Sequence, residues 1–414
     1  MQSLFNDSEL LRFRADTPAY GRWAHFAHGS SSLPPFSVFE AQRRWLDAEE
    51  RHGTFRSLHL FKDELAQTRQ SVARLIGAQE HQIAFLDSTS RGWALALAAA
   101  YDGARPVEVI TTEHEWGANA MNLLYARSQG RIASLHILYD QETPASAQTV
   151  ERLSSANANA NANANSLPVV ALQAVNPIDG SITQTQGIAA AVQHRDGLLF
   201  IDASQAVGQL PVNVQDNGCD VLVFPARKWL RGPKGISVLY LSDRALAMLG
   251  APPVLDIASA VWQSKQKCLP YPDARRFETY EFSPGTRLAL KAACDYLLAV
   301  GPKRVAAHNQ LIREKIAAAL QSSPALQALP SARPSALMTF RIDESSANPL
   351  LKTLEAAGIN ANLITQQYAR WALQARSHNV LLRLTPHYFT SDAEIERLLQ
   401  VLSGWPASLF VNNG

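Results

Sequence analysis

Cysteine is scarce here: Cys219, Cys268 and Cys294 are the only three in 414 residues. Three widely separated thiols do not make a disulfide framework, and they lack the close spacing of a zinc site, so no metal is expected. An excess of one charge is also missing. Lys and Arg number 38 against 36 Asp and Glu, a formal net charge of +2. That balance leaves no electrostatic footprint for nucleic acid or an acidic membrane surface. No run of about 18 apolar residues occurs, which removes a transmembrane helix. Residues 1–14 put no apolar core behind their charges, so no secretory leader is expected and the cytoplasm is the expected compartment. Disorder is excluded by composition, with 47% hydrophobic and 18% charged residues. A chain of this length can bury the core of two domains.

What is present is a rhythm. Short apolar runs at Ile83–Leu86, Val107–Thr111, Val169–Val175, Leu198–Ile201, Val221–Phe224 and Val238–Leu241 alternate with helix-like stretches such as Gly92–Tyr101. Continuous apolar runs separated by helices predict an α/β fold with a mainly parallel sheet covered on both faces. In such sheets ligands bind beyond the carboxyl ends of the strands. The alternating Ala-Asn tract at 156–165 has no hydrophobic period and reads as an exposed, inert loop. Further on, Val305–Leu320 is amphipathic, Ala336–Ile342 and Val380–Leu384 are strand-like, and Pro349–Ala357 and Asp392–Leu402 are helical. These elements predict a smaller α+β domain. The expected division is an N-terminal arm over 1–25 packing onto the C-terminal region, a large domain over 26–265 and a small one over 266–414.

Chemistry concentrates after the strands. Leu198–Ile201 ends in Asp202, a carboxylate that is costly to bury without a cation or donor. Taken alone it is more often a helix cap. Lys228 follows the next run, beside Arg227 and Trp229 and ahead of a Gly-Pro turn. A lysine with a lowered pKa serves as a Schiff-base nucleophile, although most lysines are solvated surface charges. A lysine and an Asp for a ring nitrogen are the two groups a pyridoxal phosphate site most needs. Ser88, Thr89 and Ser90 precede a helix, where hydroxyls and free N–H groups either cap or bind an anion. Arg383 lies within an apolar strand, so it needs an anion, either a ligand or a neighbouring carboxylate.

IDASQAVGQLPVNV, ARKWLRGPKG, DARRFETYE and LRLTPHYFTSDAEIE, in that order and spacing, resemble the class V, cysteine-desulfurase-like branch of the fold-type I enzymes that use pyridoxal 5'-phosphate (PLP). The resemblance runs from about His25 to Leu402. It implies the fold-type I PLP-dependent transferase fold, a homodimer with active sites at the subunit interface, and a small amino-acid substrate. Lys228 would hold the cofactor and then move the α-proton, working through an external aldimine and a quinonoid. Asp202 would keep the pyridine nitrogen protonated. Asn176 and Gln205 match positions that hydrogen-bond the phenolic oxygen, and Ser88, Thr89 and Ser90 match the phosphate loop. Arg227 stands where the family has a His and could reach the phosphate. Glu115-Trp116-Gly117-Ala118-Asn119 aligns with Glu-His-His-Ala-Asn, so Trp116 would stack on the cofactor ring, with His114 as the rival. Arg383 matches the arginine that grips the substrate α-carboxylate. His28, beside the Gly29–Ser32 run, matches a segment lining the substrate entrance, though a plain turn reads equally well there.

Two departures stand out. Desulfurases carry an acceptor cysteine shortly before that arginine, whereas residues 360–382 contain none. Glu281 replaces a threonine that contacts the phosphate across subunits; a carboxylate cannot do so, and pairing with Arg227 or Arg276 is the alternative. The branch is similar to carbon–sulfur lyases and to isopenicillin-N-epimerase-like proteins. The expected activity is therefore β-elimination from a cysteine conjugate or its sulfoxide, with aminotransferase and epimerase as rivals and a non-catalytic scaffold as a remote one.

Overall fold

The computed structural model describes residues 4–101, 105–140, 145–155, 166–321, 328–403 and 405. The Ala-Asn tract at 156–165 lies outside them. Seven apolar segments build the large sheet: β1 (Ile83–Leu86), β2 (Val107–Thr112), β3 (Ile132–Leu138), β4 (Leu167–Gln173), β5 (Leu198–Asp202), β6 (Val221–Pro225) and β7 (Ser237–Leu241). Their order is β1-β7-β6-β5-β4-β2-β3. From β3 through β6 every pairing is parallel, and β7 is antiparallel to both its neighbours. β4 to β7 are buried along their whole length, because helices cover both faces. The fold-type I expectation therefore holds. β3 was not foreseen: it lies at the edge, where only Ile132 and Leu135 are buried and the apolar run is weak.

A hairpin, β8 (Ala260–Ser264) and β9 (Lys267–Pro270), follows the large sheet. The smaller sheet comprises β10 (Met338–Arg341), β11 (Asn362–Thr365) and β12 (Val380–Leu384), antiparallel in the order β10-β12-β11. Leu382 and Leu384 of β12 join a core with Ile316, Phe340, Leu350 and Leu398. Period-two alternation turns Leu381 and Arg383 to the other face, where Leu381 packs with Ile178 of the large domain.

Two long-range attachments matter for the site. Ala24–His25 pairs in parallel with Ile359–Asn360, and Thr385 N–H donates to the Phe26 carbonyl at 2.8 Å. The segment after the N-terminal helix Asp7–Ala15 is thereby laid along Ile359–Asn360 and Thr385, beside the smaller sheet. The helix Pro284–Val300, capped by Ser283, packs on Phe36–His52 and Lys62–Ile76 and shares the core of the large sheet.

Candidate active site

The site forms where β5 and β6 end. Asp202 closes β5, and both its oxygens are engaged: Oδ1 accepts from Ser204 N–H (2.9 Å) and Oδ2 from the Asn119 amide (3.0 Å). Three residues beyond β6 lies Lys228, also buried. Burial pushes its amine down to about 7, Arg227 and Arg383 add to the shift, and Asp202 opposes it. The Lys228 loop packs directly on the loop after Asp202. Gly208 permits this with a φ of 105°, since a Cβ there would come within 2.2 Å of the Trp229–Leu230 backbone.

Lys228 Nζ stands 5.6 Å from the centre of the Trp116 ring. Trp116 caps the helix Gly117–Ser128 and stacks on Tyr368 at 5.3 Å and 16°. Gly117 makes the approach possible, because a Cβ would meet the Gln367 carbonyl oxygen at 2.6 Å. Of the two candidates for the ring face, the structure thus brings Trp116 to Lys228. His114 instead binds Asp140 (2.6 Å), in a network where Arg376 of the small domain pairs with the buried Glu113 at 2.8 Å. Glu113, His114 and Asp140 could together ligate a cation, but Arg376 supplies the positive charge there.

Behind Asp202 lies a group the sequence reading quoted without assigning a role. Glu115, buried, accepts from Asn119 (2.9 Å), Trp116 N–H (3.0 Å) and Gln173. Burial, together with the nearby Asp202 charge, raises its carboxyl to about 7. Asn119 bridges the two acids with one amide nitrogen. Spacing gave little signal, because Glu115 lies ahead of the helix that carries Asn119 and the two meet only through the turn at Trp116.

Thr89 and Ser90 open the helix Thr89–Tyr101 and line the cavity together with Trp116, Asp202, Arg227 and Lys228. Ser88 does not line it. Its exposed hydroxyl accepts from Arg91 N–H at 3.3 Å, the capping role. Asn176 is buried, with Oδ1 accepting from Ile178 N–H and its Nδ2 unpartnered. Gln205, which lines the cavity, is held at both ends: its amide donates to the Gly29 carbonyl, and its oxygen accepts from Trp229 Nε1.

At the opposite end, Arg383 sits mid-strand on β12, 3% exposed. Its Nη2 donates to Ser30 Oγ at 2.6 Å, whereas Nε and Nη1 are buried without a partner. Arg227 donates to the Ser30 carbonyl. His28 is not brought into this group. Its Nδ1 meets Ser32 Oγ (2.6 Å) and its ring packs among His25, His387 and Phe389. The residue of that segment that reaches the arginines is Ser30. Glu281 forms no ion pair among the described residues. Arg276 is spent on the Leu246 and Leu249 carbonyls, and Arg227 on Ser30. Cys219 and Cys294 are buried with their thiol pKa values raised by burial, and Cys268 is exposed on the β8–β9 hairpin.

A carboxylate, an amine with a pKa near neutrality, an aromatic face, a helix N-terminus, and the unpartnered buried donors of Arg383 together suit a phosphorylated pyridine aldehyde and an amino acid, whereas Asn176 does not line the cavity. Comparison with known proteins agrees. The profile of the family described as aminotransferase class-V matches residues 28–398. A probable cysteine desulfurase of Mycobacterium leprae is 26% identical over 85% of this chain and 86% of its own. Among solved structures, the cysteine desulfurase of Thermococcus onnurineus superposes with a TM-score of 0.83 at 20% identity, covering 97% of this chain and 98% of that one. A cystine C–S lyase, solved with its product cysteine persulfide, reaches 0.77 at 19% identity over 94% of this chain and 99% of that one.

Proposed function

The chain belongs to the aminotransferase class-V family of PLP-dependent enzymes, and from that premise we propose that it is a β-eliminating carbon–sulfur lyase acting on a cysteine conjugate or its sulfoxide. One observation carries this choice over persulfide chemistry. No thiol occupies residues 360–382 ahead of Arg383, and two of the three cysteines are buried with raised pKa values. A leaving sulfur therefore departs with its substituent instead of being captured by the protein.

When bound, PLP withdraws electrons from the substrate α-carbon. The remaining work belongs to side chains of this chain. Arg383 offers Nε and Nη1 to the α-carboxylate and fixes the amino acid. Asp202, steadied by Asn119 and Ser204, presents a carboxylate to the ring nitrogen. Thr89 and Ser90 at their helix N-terminus would hold the phosphate. Trp116 supplies the stacking face. The Lys228 amine, brought down to about 7 by burial, accepts the α-proton in its free-base form. The Cβ–S bond then breaks with its electron pair leaving on sulfur, and water converts the remaining fragment to pyruvate and ammonia.

The reading includes a homodimer. Exposed Phe55, Tyr280 and Phe282 border a cleft that also holds Glu281, and sedimentation at micromolar concentration tests the assembly. No helix among the described residues is long and apolar enough to cross a membrane.

The deciding experiment mixes the holoenzyme with cysteine S-conjugates and their sulfoxides while pyruvate release and the cofactor spectrum are followed together. Pyruvate with return of the starting spectrum is the expected result. Accumulation of the pyridoxamine form without pyruvate makes the chain an aminotransferase. Loss of optical activity alone makes it an epimerase.

A further inference from the structure

Two guanidinium groups converge on one residue of the substrate end. Ser30 accepts from Arg383 through its hydroxyl and from Arg227 through its carbonyl. Neither arginine has a carboxylate partner among the described residues. The acids nearby are committed elsewhere: Asp202 to Asn119 and Ser204, and Glu115 to Asn119, Trp116 and Gln173. Burial brings Lys228 down to about 7 and Arg383 down to about 10; both arginines add to the first shift, and Arg227 adds to the second. The like charges therefore act on one another across the one serine they share. Like charges partly withdrawn from water are costly unless anions meet them. One α-carboxylate is matched to one guanidinium, because a carboxylate accepts a single planar fork bidentately. The second fork is then left over.

Resting on the lyase reading, we propose that Arg227 is a specificity-determining residue that binds a second anionic group, carried on the sulfur substituent of the substrate. The substrate class is thereby narrowed to amino acids with an acidic side arm, a carboxylate or a comparable oxyanion. The arm is short, because Arg227 and Arg383 reach the same serine. The competing source of negative charge is the cofactor phosphate, since Arg227 also lines the cavity that Thr89 and Ser90 enter. The test separates the two.

S-carboxymethyl-cysteine and its uncharged isostere S-carbamoylmethyl-cysteine are offered to the holoenzyme at saturating PLP. Dissociation constants are read from the cofactor absorption change and kcat/KM from pyruvate. The carboxylate is expected to bind at least about tenfold tighter than the amide, the usual size of one charge-assisted contact. Arg227→Gln is expected to erase that ratio and Arg227→Lys to restore part of it. A wild-type ratio near one, or a ratio unchanged in Arg227→Gln, overturns the proposal. An unchanged ratio accompanied by weaker PLP retention assigns Arg227 to the phosphate. The binding ratio is readable even if no pyruvate forms, so failure of the lyase reading and failure of this assignment give different results.

Discussion

At the Asp202 end of the cavity, both carboxylate oxygens already have donors, all from the large domain. At Arg383, by contrast, two guanidinium nitrogens are buried without partners, on a strand of the smaller sheet beside Ser30 of the N-terminal segment. The contrast follows from what each end must do. A resident cofactor is served by a satisfied network fixed before it arrives, which keeps the acid in one orientation. A transient substrate is recognised by donors left waiting, whose desolvation cost is offset only when the correct anion enters. The elements also differ: β5 is a fully buried strand inside the sheet, whereas Ser30 and Arg383 come together from opposite ends of the chain.

Lys228→Ala attacks both ends at once and carries the largest expected effect. The protein should lose its covalently held cofactor and its yellow colour, and turnover should fall by at least about a thousandfold. Retained turnover would remove Lys228 from the mechanism. Arg383→Ala attacks the waiting end alone. It should lower kcat/KM by about a hundredfold, the scale of a lost buried charge-assisted pair, while the cofactor spectrum stays as it was. Unchanged kinetics would make Arg383 a structural residue.

Glu115→Gln probes the satisfied end. The folded chain holds the Glu115 proton up to about pH 7, whereas an unfolded carboxyl releases it near its ordinary value of 4.5. The folded pKa is the higher one, so this stabilisation is complete below pH 4.5 and is lost as pH rises through 7. Gln cannot titrate. Between pH 4.5 and 8 the stability of cofactor-free Glu115→Gln should therefore gain on the wild type by on the order of 1–3 kcal/mol, measured by denaturant titration at each pH. A pH-independent gap would mean that Glu115 is ionised throughout. The smallest effect is expected for Arg376→Ala, which touches neither end. Leaving Glu113 buried without its cation should cost about 1–2 kcal/mol of stability, with cofactor absorption unaltered. An altered spectrum would show that this contact between domains also shapes the cavity.

How far the sequence alone reached differs between the same two ends. Asp202 and Lys228 were legible because each is tied by a few residues to an apolar run, and such runs become strands wherever two faces are covered. A helix after the first run was legible for the same local reason, although it was read from Gly92 and begins at Thr89, with Ser88 serving as the cap. β4 begins and ends two residues earlier than its apolar run suggests. After Gln173 the chain leaves the sheet, and Val175 bridges Ile182 instead.

The waiting end was far less legible. His28 was read as the substrate contact, but its ring lies in an aromatic cluster, and Ser30, two residues on, meets Arg227 and Arg383. Trp116 and His114 could not be ranked from spacing, because the choice depends on Tyr368 and Gln367 packing against the start of a distant helix. By itself, the sequence determined the strands, the acid and lysine at their ends, and the absence of an acceptor thiol, since these are properties of neighbouring residues. Which side chains of the 24–30 segment face the site, and that two arginines share one serine, was decided only when that segment paired with Thr385, the residue after β12. That pairing spans more than 350 residues of chain, a distance at which local propensity carries no information.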